Sequence, residues 1–258
     1  MRTSPFKREG RNIWVSEGDS PSLPCQAPDP RLSGCGIIDW DAKSLVVIPM
    51  ASVVSFNDNG FMVPCTSGVD YTMTKTPTDV EYGVMNQALS GNCAAGETFV
   101  IKGNAPVGVQ IYDIFQNAIC HDVYGNAKTD LSQESATLKC EGLIAIPVIF
   151  KTAGSKYDFA PGDNVCGDGA PLKTENPGAY VGMFRKLDKT EDPKFKVGKV
   201  IAVVDADKYQ KGGLNFVKAQ GLNVASDSTK GFSPAVWDSF KNADDTFTKK
   251  IVYIKITL

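Results

Sequence analysis

Leu45-Val-Val-Ile-Pro-Met50 returns about 98 residues later as Leu143-Ile-Ala-Ile-Pro-Val148, an internal echo of the kind a duplicated unit leaves. After each copy comes a glycine-bearing apolar segment, Tyr82-Gly83-Val84-Met85 and then Val181-Gly182-Met183-Phe184. A second apolar run follows in the same order, Gly96 to Ile101 and Gly198 to Val203. These pieces are short, rich in Val and Ile, and punctuated by Gly or Pro, the composition of strands and turns. A β-unit used twice is the expectation. With no catalytic signature between the copies, the pattern points toward assembly or binding.

At 258 residues the chain can build one large domain or two small ones, with a core that needs no disulfide. Lys and Arg number 27 against 29 Asp and Glu, a formal charge of −2, so no global field draws in nucleic acid or an anionic membrane. Neither is expected as a direct partner. The start, Met1 to Arg8, carries basic residues with no apolar core behind them, unlike a secretory signal. The longest apolar run, Leu45 to Val54, contains Pro49 and is too short to span a bilayer. A soluble chain made in a cytoplasm is expected.

The seven cysteines, Cys25, Cys35, Cys65, Cys93, Cys120, Cys140 and Cys166, include no C-x-x-C pair. Such spacing matches neither a disulfide framework nor a zinc site, and free thiols packed as small apolar groups are expected. A Cys25–Cys35 bridge around Pro28 and Pro30 is the alternative in an oxidising compartment.

Residues 1–35 hold Pro5, Pro21, Pro24, Pro28 and Pro30 and show no apolar periodicity beyond Ile13-Trp14-Val15. They read as an extended N-terminal arm, unable to build its own core and laid over another surface. Ile13, Trp14 and Val15 are its expected anchors, because a tryptophan left in water forgoes a large burial gain.

Residues 36–141 read as a first β-module and connection. Ser52 to Phe56, the tight turn Asn57-Asp58-Asn59-Gly60 and Phe61 to Val63 predict a hairpin. Thr98 to Ile101 and Val107 to Ile114 predict further strands. Gln116 to Glu141 is more polar, with a turn at Asp122 to Asn126 and a short strand near Ala136 to Cys140.

Residues 142–258 read as a second β-module. It carries the Gly- and Asp-rich loop Pro161 to Gly169, a charged loop at Lys186 to Lys196 and a strand over Val197 to Val204. Gly213 to Gln220 and Ser233 to Phe240 predict short helices, the second with Ser233 as N-cap and Pro234 at the first helical position. At the end, Val252, Ile254, Ile256 and Leu258 alternate with Tyr253, Lys255 and Thr257, a half-buried strand that must return to an earlier sheet. The predicted fold class is mainly β: two β-barrel or β-tulip modules, an extended arm and a few short helices.

Candidate chemistry is sparse. His121 is the single histidine, so any Ser-His-Asp or Cys-His scheme must use it as base. Its neighbour Cys120 would face the opposite side of a strand. Asp163, Asn164 and Asp168, or Asp205 and Asp207, offer hard oxygen ligands for Ca²⁺. Neither group is an EF-hand loop: counted from Asp205, the glycine position is Gln210 and the final ligand position is Phe216. Ordinary turn chemistry accounts for the same letters. Lys211-Gly-Gly-Leu214 and Gly103 to Gly108 lack phosphate-cradling spacing. No catalytic residue, cofactor or metal is expected, and the chain does not read as an enzyme.

Taken together, the arm ending at Pro28-Asp-Pro30, Val63-Pro-Cys-Thr-Ser-Gly68, Tyr82-Gly-Val84 and Ala95 to Ile101, with weaker partners at Pro161-Gly-Asp163, Val181-Gly182 and Val197 to Ile201, resemble the capsid decoration (cement) proteins of tailed bacteriophages. The likeness spans about two thirds of the chain as a pattern of β-units. The helical segment and second module depart from single-module members. The resemblance implies a virion structural protein that stabilises a capsid through its arm and β-modules. Its implied partners are the major capsid protein and neighbouring copies of itself, as a homo-oligomer on the shell. The competing reading is a virion fibre or cell-surface adhesin whose loops Tyr157 to Gly169 and Lys186 to Lys196 contact a host receptor or glycan. A hydrolase using unrecognised carboxylates comes third.

Overall fold

The fold is taken from a computed structural model that describes residues 6–9, 13–16, 22–23, 28–32, 37–39, 44–49, 51–74, 98–111, 114–117, 136–170, 181–205 and 246–258. Its strands, in chain order, begin with β1 (Phe6–Glu9), β2 (Ile13–Ser16), β3 (Ser22–Leu23), β4 (Ile37–Asp39), β5 (Ser44–Ile48) and β6 (Val53–Phe56). Next come β7 (Met62–Pro64), β8 (Tyr71–Thr74), β9 (Thr98–Ile101), β10 (Gly108–Gln110), β11 (Ile114–Asn117) and β12 (Ala136–Lys139). The last are β13 (Glu141–Phe150), β14 (Asn164–Gly167), β15 (Phe184–Lys186), β16 (Gly198–Asp205) and β17 (Thr248–Thr257). Among the described residues, helix is limited to 3-10 turns at Pro30–Leu32 and Pro193–Phe195. The predicted helices at Gly213 to Gln220 and Ser233 to Phe240 lie outside the described residues.

All the ladders are antiparallel. A seven-stranded sheet runs β1-β2-β13-β17-β16-β14-β15, and a five-stranded one β3-β12-β10-β6-β7. Two smaller sheets are β11-β5-β4 and β8-β9. The expected barrels do not form: among the described residues every sheet is open. At the β15 edge the reason is local, because the chain from the neighbouring loop takes the hydrogen bond a closing strand would use, with Lys186 N donating to Lys156 O at 2.8 Å. The strands at the two ends, β1 and β15, are also short, whereas closure needs matched strand lengths, tilt and stagger.

The largest sheet is organised by β17, which lies between β13 and β16. Val252, Ile254 and Ile256 are fully buried and Lys255 and Thr257 exposed, the alternation of a strand with one face on a core. Leu258, expected on the inner face, lies just past the strand and is 47 % exposed. Beside β17 runs the whole of β13, from Glu141 opposite Thr257 to Phe150 opposite Thr248. Pro147 falls beyond the stretch where β2 pairs with β13, so the residue that cannot donate to a ladder sits where the strand has one neighbour.

The hairpin predicted around Asn57 to Gly60 joins β6 to β7, with Phe56 opposite Met62. Asn57 Oδ1 accepts from Asn59 N and Phe61 N, both at 3.0 Å, and Gly60 supplies the positive φ of 79° that the turn requires.

One core combines both halves of the chain. Val53, Cys65, Val109 and Ile111 pack with Ile144, Ile146, Tyr157, Phe159, Val165, Val252 and Ile254. Leu32, Val54, Met62, Ile101, Ile114 and Leu138 form a second cluster. The echoed segments become strands, but not equivalent ones. β5 lies between β4 and β11, while β13 lies between β2 and β17; β9 pairs with β8, while β16 is flanked by β14 and β17.

Candidate functional site

The N-terminal residues with sequence interest occupy the rim of the largest sheet. Ile13, Trp14 and Val15 lie in β2, opposite Glu9, Arg8 and Lys7 of β1. On its other side β2 meets β13, with Val15 opposite Ile144 and Trp14 opposite Ala145. The arm therefore continues the sheet of its own chain as a hairpin.

Farther along, residues 28–32 dock on the β6–β7 hairpin. Asp29 N donates to Met62 O at 2.9 Å, and Leu32 is completely buried. The Asp29 carboxylate accepts from Arg31 Nη2 at 2.6 Å and Asn57 Nδ2 at 2.7 Å. Burial opposes its charge, but these bonds and the Arg31 guanidinium outweigh that penalty and hold its carboxyl below the usual value. Arg31 also lies over the Phe99 ring, 5.1 Å from its centroid.

The densest polar cluster sits where β14 leaves the sheet. Asp168 is fully buried, and its carboxylate accepts from the buried Tyr157 hydroxyl, from Lys156 Nζ at 2.9 Å and from Ala170 N at 3.0 Å. Arg185 Nε approaches it to 4.0 Å. The same guanidinium holds Glu191 with two bonds, 2.7 and 2.5 Å long, a bidentate geometry suited to a planar fork. That pairing keeps the Glu191 carboxyl below its usual range. Asp158 forms a nearby tie: burial works against its charge, yet Gly154 N–H and Lys250 Nζ, 2.7 and 2.8 Å away, hold its carboxyl low.

Next to this cluster are two buried thiols, Cys65 just after β7 and Cys166 in β14. Burial raises both, and pushes Cys166 up to about 12. Their segments touch because position 167 is glycine: a Cβ there would stand 2.3 Å from Cys65 O.

Of the suggested Ca²⁺ ligands, Asp163 closes a turn by accepting from Ala160 N at 2.8 Å, Asn164 begins β14 opposite Lys199, and Asp168 faces cations of the protein itself. Asp205 ends β16 opposite Lys250. Among the described residues no three His, Cys, Asp or Glu side chains are grouped to hold a metal ion. Asp207, His121, Cys120, Cys25, Cys35 and Cys93 lie outside the described residues.

Sequence reasoning did not join Lys156, Tyr157, Arg185 and Glu191 to Asp168. The only signal was the concentration of Gly and Asp in 161–169, which fits a turn equally well. What the arrangement does chemically is neutralise and immobilise a buried carboxylate, locking the 151–163 loop to β14 and β15.

The chain thus defines a mainly β protein of several open antiparallel sheets. No protein-family model, curated protein or solved structure matches it. Among the described residues, no helix is long and apolar enough to cross a membrane.

Proposed function

We propose that this chain is a virion structural protein that decorates and stabilises a bacteriophage capsid, engaging the major capsid protein and neighbouring copies of itself. The observation that carries the reading is the β1–β2 hairpin at the rim of the largest sheet. Its register to β13 is confined to Val15 and Trp14, opposite Ile144 and Ala145. A ladder made of main-chain groups is transferable, because any exposed strand edge of suitable length offers the same donors and acceptors. On a shell, the hairpin carrying Ile13, Trp14 and Val15 adds to an edge of an adjacent subunit. Repetition over a symmetric lattice then turns a modest contact into strong avidity. Ordering the arm costs conformational entropy, which burial of its apolar anchors offsets. This mechanism uses no cofactor and involves no transition state.

The test uses the full chain and a form lacking residues 1–21, mixed with expanded capsids of the cognate phage. The cut precedes Ser22 because β3 and residues 28–32 pack on the rest of the fold. Co-sedimentation and a raised melting temperature of the shell with the full chain, both lost on truncation, are expected. A Trp14→Ala variant provides a second reading should the truncated form fail to fold. If the folded full chain neither binds nor stabilises capsids, the proposal fails and binding to host cells or glycans becomes the reading to test.

A further inference from the structure

Cys65 and Cys166 come from the two halves of the chain, and both are completely buried. Ser67 Oγ lies 3.8 Å from Cys65 Sγ, and the same hydroxyl hydrogen-bonds the Cys166 thiol. The two sulfurs are also close enough to interact electrostatically. The backbones converge as well, since a Cβ built on Gly167 would stand 3.2 Å from Cys65 Cβ. A disulfide brings its own two Cβ atoms to about 3.5–4.5 Å, a separation these neighbouring segments can reach.

We infer that Cys65 and Cys166 form a modification site: they join as an intrachain disulfide, stapling the two halves together, when the protein meets a low-molecular-weight disulfide such as oxidised glutathione. The first bond forms when Cys65 thiolate attacks a glutathione sulfur, breaking its S–S bond and releasing one glutathione thiolate. Cys166 thiolate then attacks Cys65 Sγ and expels the second. The two cysteines are oxidised by two electrons, oxidised glutathione is reduced, and the two thiol protons end on the released glutathione molecules.

Cys65 is the first attacker because its loop reaches solvent at Gly68, Val69 and Asp70, whereas Cys166 lies within a strand flanked by β15 and β16. Ser67, between the two sulfurs, holds a φ of 46°, a left-handed conformation unfavourable for a residue with a side chain. That local strain favours the opening the first step needs. Burial keeps the thiolate scarce, so exchange in the folded protein is slow and limited by loop opening. The inference is independent of what the chain assembles with.

The experiment refolds reduced, unfolded full-length chain in a glutathione redox buffer, which removes the kinetic barrier of burial. Peptide mapping without reductant then locates every disulfide. The expected product is a linked peptide containing Cys65 and Cys166, with two hydrogens lost. Its melting temperature rises by roughly 5 °C or more, dithiothreitol reverses the rise, and a Cys166→Ala variant lacks it. Recovery of the pair as free thiols, as mixed disulfides with glutathione, or joined to other cysteines overturns the inference. Because the map is made on the natural sequence, it stands even where the variant misfolds.

Discussion

Replacing Asp168 by Asn keeps the side-chain shape and removes the charge that organises the cluster beside β14. The carboxylate side chain is 1 % exposed and accepts from Tyr157, Lys156 and Ala170. An amide turns one of its acceptors into a donor, so the Tyr157 hydroxyl or the Lys156 ammonium loses its partner. Breaking a fully buried ion pair costs about 3–5 kcal/mol. Here the figure is reduced, because Lys156 is 26 % exposed and retains Ala170 O at 2.6 Å, while Arg185 retains Glu191. A loss of about 2–4 kcal/mol is expected for Asp168→Asn. Tyr157→Phe removes one donor to a charged acceptor and leaves the others, at about 1.5–3 kcal/mol. Urea unfolding of the two single variants and the double variant isolates their coupling. A coupling of about 1 kcal/mol or more is expected, since both changes delete one hydrogen bond. Additive effects, or an Asp168→Asn loss under about 0.5 kcal/mol, would refute the reasoning.

Acid should weaken the fold in a defined window. Asp29, Asp158 and Glu191 are held below their ordinary values of 3.8, 3.8 and 4.5, so their contributions are complete above those values and disappear as pH falls through the lowered ones. Urea midpoints should be equal at about pH 7 and pH 6 and fall markedly by about pH 3; an unchanged midpoint at the acid end contradicts the assignment. Gly167→Ala forces a methyl group into Cys65 O, 2.3 Å from the new Cβ, and should cost about 1–3 kcal/mol in the same assay. Wild-type stability in that variant would mean the two segments do not approach so closely.

The parts of the fold legible in the sequence are those specified by local patterns. Asn57 to Gly60 announces its turn because side-chain acceptors and a positive-φ glycine act within four residues, and Val252, Ile254 and Ile256 announce a one-sided strand by alternation. Strand order is not local. The similar runs in β5 and β13 enter differently ordered sheets, because pairing depends on which distant strand is available. The Asp168 cluster was illegible for the same reason: its partner Arg185 lies across a paired strand, and no spacing rule for turns or helices relates the two. Val107 to Ile114, read as one strand, belongs to β10 and β11, whose strands pair in different sheets.

The position of β17 has a consequence for how the chain reaches this structure. Residues 248–257 follow every other strand of the seven-stranded sheet in sequence, yet they stand between β13 and β16. During synthesis the sheet's two inner ladders cannot form until this stretch leaves the ribosome. Until then β13 and β16 present unpaired, strongly apolar edges, the kind that pair with foreign strands. Closure joins residues far apart in sequence, so the slow step of folding is the late insertion of one strand into a waiting gap. Crowded synthesis therefore exposes the chain to misassembly mainly in the interval before residue 257 emerges.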